Sequence, residues 1–409
     1  MKDSVPKSFT RYDKFVIFLL SITQFTVILD FMVMAPLGDL LLKNLSINTQ
    51  DFGIVVSAYA FSAGISGFLT AGFADKFDRK KLLLVFYFGF IIGTLFCGLA
   101  NSYHALVIAR IITGLFGGVI ASISMAIVTD LFTLQQRGRV LGFTQMGYGA
   151  SSVLGIPIGL YIANMWNWEA PFFMIVILSV LIAIMIIIGL KPINAHLKLQ
   201  NKTNIFRHLW TTLKNKEYRI GFMATMFLTV GGFMMMPYGT IFAVNNLGVS
   251  EEQLPFLFMV SGATSLLIMP FVGKLSDKMS KYKLFTIASI WLMLVSITYT
   301  NQSMLPLWVV MIFNVCMMIG ITSRMIPSSA LSSAVPEIKD RGAYMSINSS
   351  IQQISGGIAA LIAGSIVYQE SKASPLINYN VVGYVVVGFS CVSILLMSRV
   401  NILIKKRNN

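Results

Sequence analysis

Polar punctuation divides the chain into twelve apolar runs, at about 15–42, 52–74, 81–100, 105–131, 140–163, 170–190, 220–245, 254–274, 284–300, 305–334, 342–367 and 379–404. A membrane-spanning helix takes about 20 apolar residues. The pattern therefore predicts an all-α membrane protein with twelve transmembrane helices. The breaks hold charged residues, Asn or Pro, so the count is firmer than the ends. The first run is too long for the apolar region of a secretory signal, and no small-residue cleavage site follows it. It is expected to remain as the first span.

Composition agrees. Of 409 residues, 56% are hydrophobic and 11% charged, against about 25% charged in soluble domains. A soluble protein of this size is nearly excluded, and a disordered chain, which needs more polarity, is excluded. The formal charge of +15 comes from 31 Lys and Arg against 16 Asp and Glu. Only Lys43 and Lys372 fall in the odd-numbered loops, and Arg110 and Arg324 fall inside helices. The other 27 basic residues lie in the tails, in the even-numbered loops or at adjoining helix ends. By the positive-inside rule, both termini are expected in the cytoplasm. The excess charge marks topology, so no nucleic-acid partner is expected.

The longest polar stretch, 191–219, separates an expected N-terminal six-helix bundle (1–190) from a C-terminal one (220–409). Within it, Phe206, Leu209, Trp210 and Leu213 recur at helical spacing among seven basic residues. Two readings stay open: an interfacial helix on anionic lipid and a solvated basic linker. Cys97, Cys316 and Cys391 all lie in apolar runs and are read as buried small hydrophobes, not as disulfide or metal ligands.

The halves repeat each other. Phe31-Met32-Val33-Met34-Ala35-Pro36-Leu37-Gly38 matches Gly232-Phe233-Met234-Met235-Met236-Pro237-Tyr238-Gly239 at offset 201. Asp75-Lys76 recurs as Asp277-Lys278, and Arg137-Gly138 as Arg341-Gly342, at offsets 202 and 204. Parallel six-helix repeats with a site between them are a secondary-transporter plan.

Motifs in register with this repeat carry a family resemblance. The loop after the second span reads Ala71-Gly72-Phe73-Ala74-Asp75-Lys76-Phe77-Asp78-Arg79-Lys80-Lys81, with a second copy at Gly273-Lys274-Leu275-Ser276-Asp277-Lys278. The fourth span carries Arg110-Ile111-Ile112-Thr113-Gly114, and the fifth Gly155-Ile156-Pro157-Ile158-Gly159. Over its whole length the chain resembles the major facilitator superfamily, in particular the twelve-helix branch of drug:proton antiporters and sugar-efflux proteins. It departs from the family pattern in Ala71, in Asp78 and in the Ile156 that separates Gly155 from Pro157.

Asp30 is the most informative residue. Lys14 and Lys43 flank its helix and their midpoint is 28.5, so Asp30 lies near mid-membrane. An ionised Asp there costs about 2.5–3.5 kcal/mol on insertion scales, and such carboxylates usually serve a cavity or a partner. Thr23 and Thr26 share its helical face. The expected role is a proton or cation site; the alternative is a structural ion pair or a capped carboxylate. Gly114, Gly117 and Ala121 give the fourth span a small-residue face. Arg110 reads as a helix brace, or, as the resemblance implies, as the electrostatic partner of the proton site. Under the repeat, Asp30 corresponds to Gly231 and Arg110 to Asn314, so the first half is expected to handle the proton.

Arg324 lies just before the break that Pro327 invites. It is read as an anion contact or cytoplasmic gate residue, or as a snorkelling anchor. Gln145, Tyr148, Asn314, Gln352 and Gln353 are candidate polar contacts in a central cavity, or helix glue. Met223, Met226, Met234, Met235 and Met236 of the seventh span suit an adaptable lipophilic site or plain packing.

The resemblance implies a cytoplasmic gate of Gly72, Asp75, Asp78, Arg79, Asp130, Arg137, Gly273, Asp277, Lys278 and Arg341. In it Asp75 faces the positive end of the eleventh helix, and Arg79 pairs with Asp130 near Arg137. These contacts would hold the outward-facing state and break when the halves rock. Gly155, Pro157 and Gly159 form the antiporter-like motif.

His104, His196 and His208 are expected in loops with no acid or Cys cluster beside them, and no phosphate-binding Gly-Lys-Ser/Thr motif occurs. Neither catalytic residues nor a metal site are expected, nor a cofactor; the proton gradient is the expected energy source. The expectation is a monomeric transporter in a bacterial inner membrane, whose partners are a small-molecule substrate, protons and the bilayer. Its expected action is proton-coupled efflux of a lipophilic or drug-like molecule, or else symport or facilitated passage of a sugar or metabolite.

Overall fold

The structure is a computed structural model that describes residues 9–70, 76–194, 197, 205–337, 340–371 and 374–408. Sixteen α-helices follow one another, and the extended structure among the described residues is a single bridge between Tyr368 and Ile377. The first half holds α1 (Arg11–Val33), α2 (Gly38–Leu45), α3 (Thr49–Thr70), α4 (Arg79–Gly98), α5 (Tyr103–Leu131), α6 (Leu134–Ala150), α7 (Ile156–Met165) and α8 (Ala170–Gly189). After α9 (Ile205–Lys214) come α10 (Lys216–Phe233), α11 (Gly239–Asn245), α12 (Leu254–Lys278), α13 (Lys281–Thr300), α14 (Leu307–Ser333), α15 (Arg341–Ile366) and α16 (Tyr379–Asn408).

Among the described residues nine helices are long and apolar enough to cross a membrane: α1, α3, α4, α5, α8, α12, α13, α14 and α16. The other apolar runs are broken or more polar. Three breaks fall at prolines. Pro36 lies between α1 and α2, and Pro237 between α10 and α11, so the internal repeat survives as a repeated helix interruption. Proline lacks the N–H that the ladder needs, and its ring displaces the carbonyl four residues back. Pro157 acts in the same way: ahead of it, residues 151–155 form a π turn in which Ile156 N–H donates to Ser151 O. Pro327 produces no break, and α14 runs through it. A lone proline removes one backbone bond, which neighbouring helices can compensate in a membrane bundle.

In the first half α3 and α4 pack on α5, α1 on α6, and α4 on α8. In the second, α13 and α12 pack on α14, and α10 on α16 and α15. Glycines set the closest approach. A Cβ on Gly118 would fall 2.6 Å from Ala63 Cα, and one on Gly114 would overlap Ser62 and the Tyr59 carbonyl. Gly118, not the expected Ala121, completes the small face, because Ala121 is exposed. Of the cysteines Cys97 alone is buried; Cys316 is half-buried and Cys391 exposed. Spanning helices expose apolar faces to lipid, so an apolar run does not imply burial in protein.

The halves meet along two antiparallel seams, α3 against α15, and α6–α7 against α12. We call proximal the end at which α1 begins and α16 finishes, and distal the opposite end. A continuous apolar core crosses between the halves at the distal end, through Phe52, Tyr238, Ile241 and Phe242. A separate cluster, including Leu209, Tyr218, Phe222 and Tyr344, forms the proximal part of the second half. Helix α9 contributes the buried Leu209 to it and leaves Trp210 exposed under Lys214, 4.8 Å from the ring. The expected helix in the linker is thus present and docked on protein. Its Phe206 side chain lies outside the described residues.

Candidate functional site

Asp30 and Arg110 come together as a fully buried ion pair, with Arg110 Nη1 at 2.8 Å from Asp30 Oδ2. Thr94 Oγ1 of α4 donates to the other carboxylate oxygen at 3.1 Å. The guanidinium lies 4.5 Å from the ring centre of Tyr59, a cation–π contact strengthened by desolvation. Its Nε has no hydrogen-bond partner. Three helices therefore converge on one pair: α1 supplies the acid, α5 the base and α4 a hydroxyl. Thr26, one turn from Asp30, bonds instead to Tyr87 OH at 2.9 Å. The pair faces the interior of the first half.

An aromatic path links the pair to the other half. Tyr59 packs on Phe31 with ring centres 5.3 Å apart, and Phe31 on Phe233 of α10 at 6.3 Å. Phe31 is next in sequence to Asp30. The fifth-span motif abuts the same helix. A Cβ on Gly155 would fall 2.6 Å from Leu29, and one on Gly159 would fall 3.2 Å from Val33. Ser151 Oγ donates to Phe25 O at 3.0 Å. The Gly and Pro residues bend the fifth span and let it lie against α1.

Arg324 is buried elsewhere, inside the second half. Its Nη1 donates to Ser390 at 3.3 Å and its Nη2 to the Leu228 carbonyl at 3.3 Å. Phe285 lies beneath it at 5.9 Å. Leu228 is twelve residues from the proximal start of α10, and Ser390 eleven from the distal start of α16. The guanidinium therefore sits at mid-depth, which overturns the snorkelling alternative. Its shortest route to polar atoms is sideways, to a serine and a carbonyl of neighbouring helices. Asn314 bonds to Val310 O of its own helix at 3.0 Å. Gln352 is exposed and Gln353 half-buried. The side chains of Gln145 and Tyr148 lie outside the described residues. The five methionines split: Met223 and Met226 are exposed, Met234 and Met235 are core, and Met236 is half-buried.

At the proximal end Arg79 Nε bonds Asp130 Oδ2 at 3.1 Å, within the first half. Arg137 donates to the Phe132 and Thr129 carbonyls at 3.1 and 2.7 Å. It thus caps the negative end of α5 beside Asp130. Asp78 is the N-cap of α4 and accepts from Lys81 N at 3.0 Å, a structural duty. Lys278 and Arg341 are exposed. Helix α12 packs on α7 and the π turn more than on α6, and Gly142 of α6 and Gly273 of α12 would place a Cβ with nothing within 4 Å, so the fifth and eighth spans part toward the proximal end. Gly72, Asp75 and the Asp277 side chain lie outside the described residues. His208 is not apart from acids: it lies in α9, its Nε2 3.6 Å from Asp340 Oδ1, because α9 folds back onto the start of α15.

A distal latch completes the arrangement. Lys43 Nζ lies 2.6 Å from Asp39 and 2.8 Å from Glu251 of the other half. Asn245 donates to Asp39 at 2.7 Å, and Asn164 to the Glu251 carbonyl at 3.0 Å. Tyr238 OH reaches across to Thr49 O at 2.9 Å, and Thr49 Oγ1 to Val367 O at 2.8 Å. Sequence reasoning did not reach these residues. Their signal was Lys43 itself, one of two basic residues in the odd-numbered loops, four positions after an acid.

The Major Facilitator Superfamily model matches residues 20–360 and 222–402. MFS-type transporter YbcL of Bacillus subtilis (strain 168) is 24% identical, over 88% of this chain and 90% of its own. Multidrug resistance protein 2 of the same organism is 22% identical, over 69% and 72%. A crystal structure of a D-xylose-proton symporter superposes with a TM-score of 0.78 at 16% identity, covering 95% of this chain and 97% of that one.

Proposed function

The chain belongs to the major facilitator superfamily, a family of membrane transporters and not of enzymes, and from that premise we propose that it couples proton uptake at Asp30 to efflux of a small lipophilic or drug-like molecule by alternating access. The observation that carries this reading is the Asp30–Arg110 pair, sealed from solvent inside one half. A proton on Asp30 cancels the charge that holds Arg110. The guanidinium then loses its charged partner and keeps neutral contacts alone, among them the Asp30 backbone carbonyl at 3.5 Å and the face of Tyr59. Any shift of Tyr59 is passed to Phe31 and then to Phe233 in the other half. One protonation is thereby linked to the seam along which the halves rock. The name of the multidrug-resistance relative and the bent Pro157 segment support the direction of transport.

The test is flux of a lipophilic fluorescent dye in proteoliposomes under an imposed pH gradient. Wild type is expected to move dye in exchange for protons, and Asp30→Asn to lose the dependence on the gradient by at least tenfold. Gradient-driven flux that persists unchanged in Asp30→Asn overturns the role of Asp30. Sugar or metabolite moving in the same direction as protons, with no dye exchange, establishes symport in place of efflux.

A further inference from the structure

A groove of about 750 Å³ opens on the membrane side of the first half, away from the buried pair, where the distal ends of the third, fifth and sixth spans meet. That volume is typical of a ligand site. Its floor is apolar and follows α8 down to Ile177 and Leu181. From the start of α8 to residue 181 the helix descends about 16 Å at 1.5 Å per residue, close to the half-thickness of a bilayer core at about 15 Å. The groove therefore has the length of one leaflet, with Trp166, an interfacial residue type, at its mouth.

Glu169 also lines it. The dipole of α8 accounts for an acid at that position, yet the side chain makes no capping bond. Its Oε2 is buried without a hydrogen-bond partner, and a buried acceptor left unmet costs free energy. No basic side chain lines the groove. Lys43, the lysine described at this end, is held by Asp39 and Glu251. A positive charge supplied from outside the chain would meet this oxygen. Asn101 and Asn167 also line the groove and offer amide donors suited to a phosphate.

We infer that this groove holds a membrane lipid with a primary-ammonium headgroup. The ammonium meets Glu169, the phosphate meets Asn101 and Asn167, and one acyl chain lies along Ile177 and Leu181. The occupant is a bilayer component and not the transported molecule, so this inference is independent of the transport reading.

The test is native mass spectrometry of the full chain released from nanodiscs of equal phosphatidylethanolamine and phosphatidylglycerol with matched acyl chains. Wild type is expected to retain phosphatidylethanolamine at least fivefold over phosphatidylglycerol, and Glu169→Gln to retain the two equally. Ile177→Trp fills the groove and is expected to retain neither, with circular dichroism confirming the fold of both variants. Equal retention of the two lipids by wild type overturns the inference and needs no variant. So does an unchanged preference in either substituted chain. Displacement of the lipid by tetraphenylphosphonium, a lipophilic cation without a phosphate, would assign the groove to soluble cations instead.

Discussion

Asp30 and Arg110 illustrate how far a single residue type can be read. Each is conspicuous as a charge at membrane depth, but nothing in their spacing of eighty positions says that they touch. The fold makes that contact and adds Thr94 and Tyr59, a polar and an aromatic residue that are unremarkable in an apolar run. The pair is too buried for loss of one partner to be tolerated well. Removing one member of a buried ion pair costs about 3–5 kcal/mol in soluble proteins. Arg110→Ala is therefore expected to lower the thermal unfolding midpoint in detergent markedly. The double variant Asp30→Asn, Arg110→Gln should regain much of the loss while staying uncoupled from protons. A double variant no more stable than Arg110→Ala would show that the charge pair is not what Arg110 supplies.

Elements were legible where hydrophobicity, punctuation and proline chemistry act locally. The apolar runs, the linker helix and the interruptions at Pro36 and Pro237 all follow from residues near them in the chain. Pro327 was misleading, because the cost of a missing backbone bond depends on the helices beside it. Pro157 is the opposite case: its π turn sits where α7 must approach α1 within a glycine's reach. Pro157→Ala is expected to regularise the fifth span and change its angle to α12. A spin-label distance between the proximal ends of α6 and α12 should then shift by several ångströms and transport should fall several-fold. An unaltered distance distribution would assign the bend to packing and not to proline. Similarly, Gly118→Val would drive a side chain into the α3 backbone at Ala63. It is expected to abolish folded yield, measured by size-exclusion chromatography.

For the whole molecule, the decisive feature is that the halves are latched at the distal end, while the fifth and eighth spans separate toward the proximal one. The Lys43–Glu251 contact is partly exposed and worth no more than about 1 kcal/mol, roughly fivefold in a two-state equilibrium. Glu251→Gln is expected to raise distal access to that extent, read as the labelling rate of a cysteine placed between the halves. Burial works against the Lys43 ammonium, but hydrogen bonds and charges from Asp39 and Glu251 outweigh it and hold the group above its ordinary value. A base raised in this way stabilises the latched state fully below the ordinary lysine pKa, and the contribution is lost as pH rises through the higher folded value. Distal labelling of wild type should thus stay flat from about pH 6 to about pH 9 and rise only in strongly alkaline solution. A rise near neutral pH would remove Lys43 from the latch.

The number of apolar runs, the distribution of charge, the duplication of halves and the few charges that violate the pattern are all legible along the chain. Each of these is a one-dimensional property, set by the cost of placing polar groups in hydrocarbon or by proline's missing donor. Which of those charges are partners, and which way they face, follows from the packing of the helices. It paired Asp30 with Arg110, turned Arg324 toward Ser390 and Leu228, and recruited Lys43 into the latch. These outcomes depend on contacts between residues as far as 208 positions apart, where close helix packing, set by glycines and aromatic rings, fixes which side chains meet.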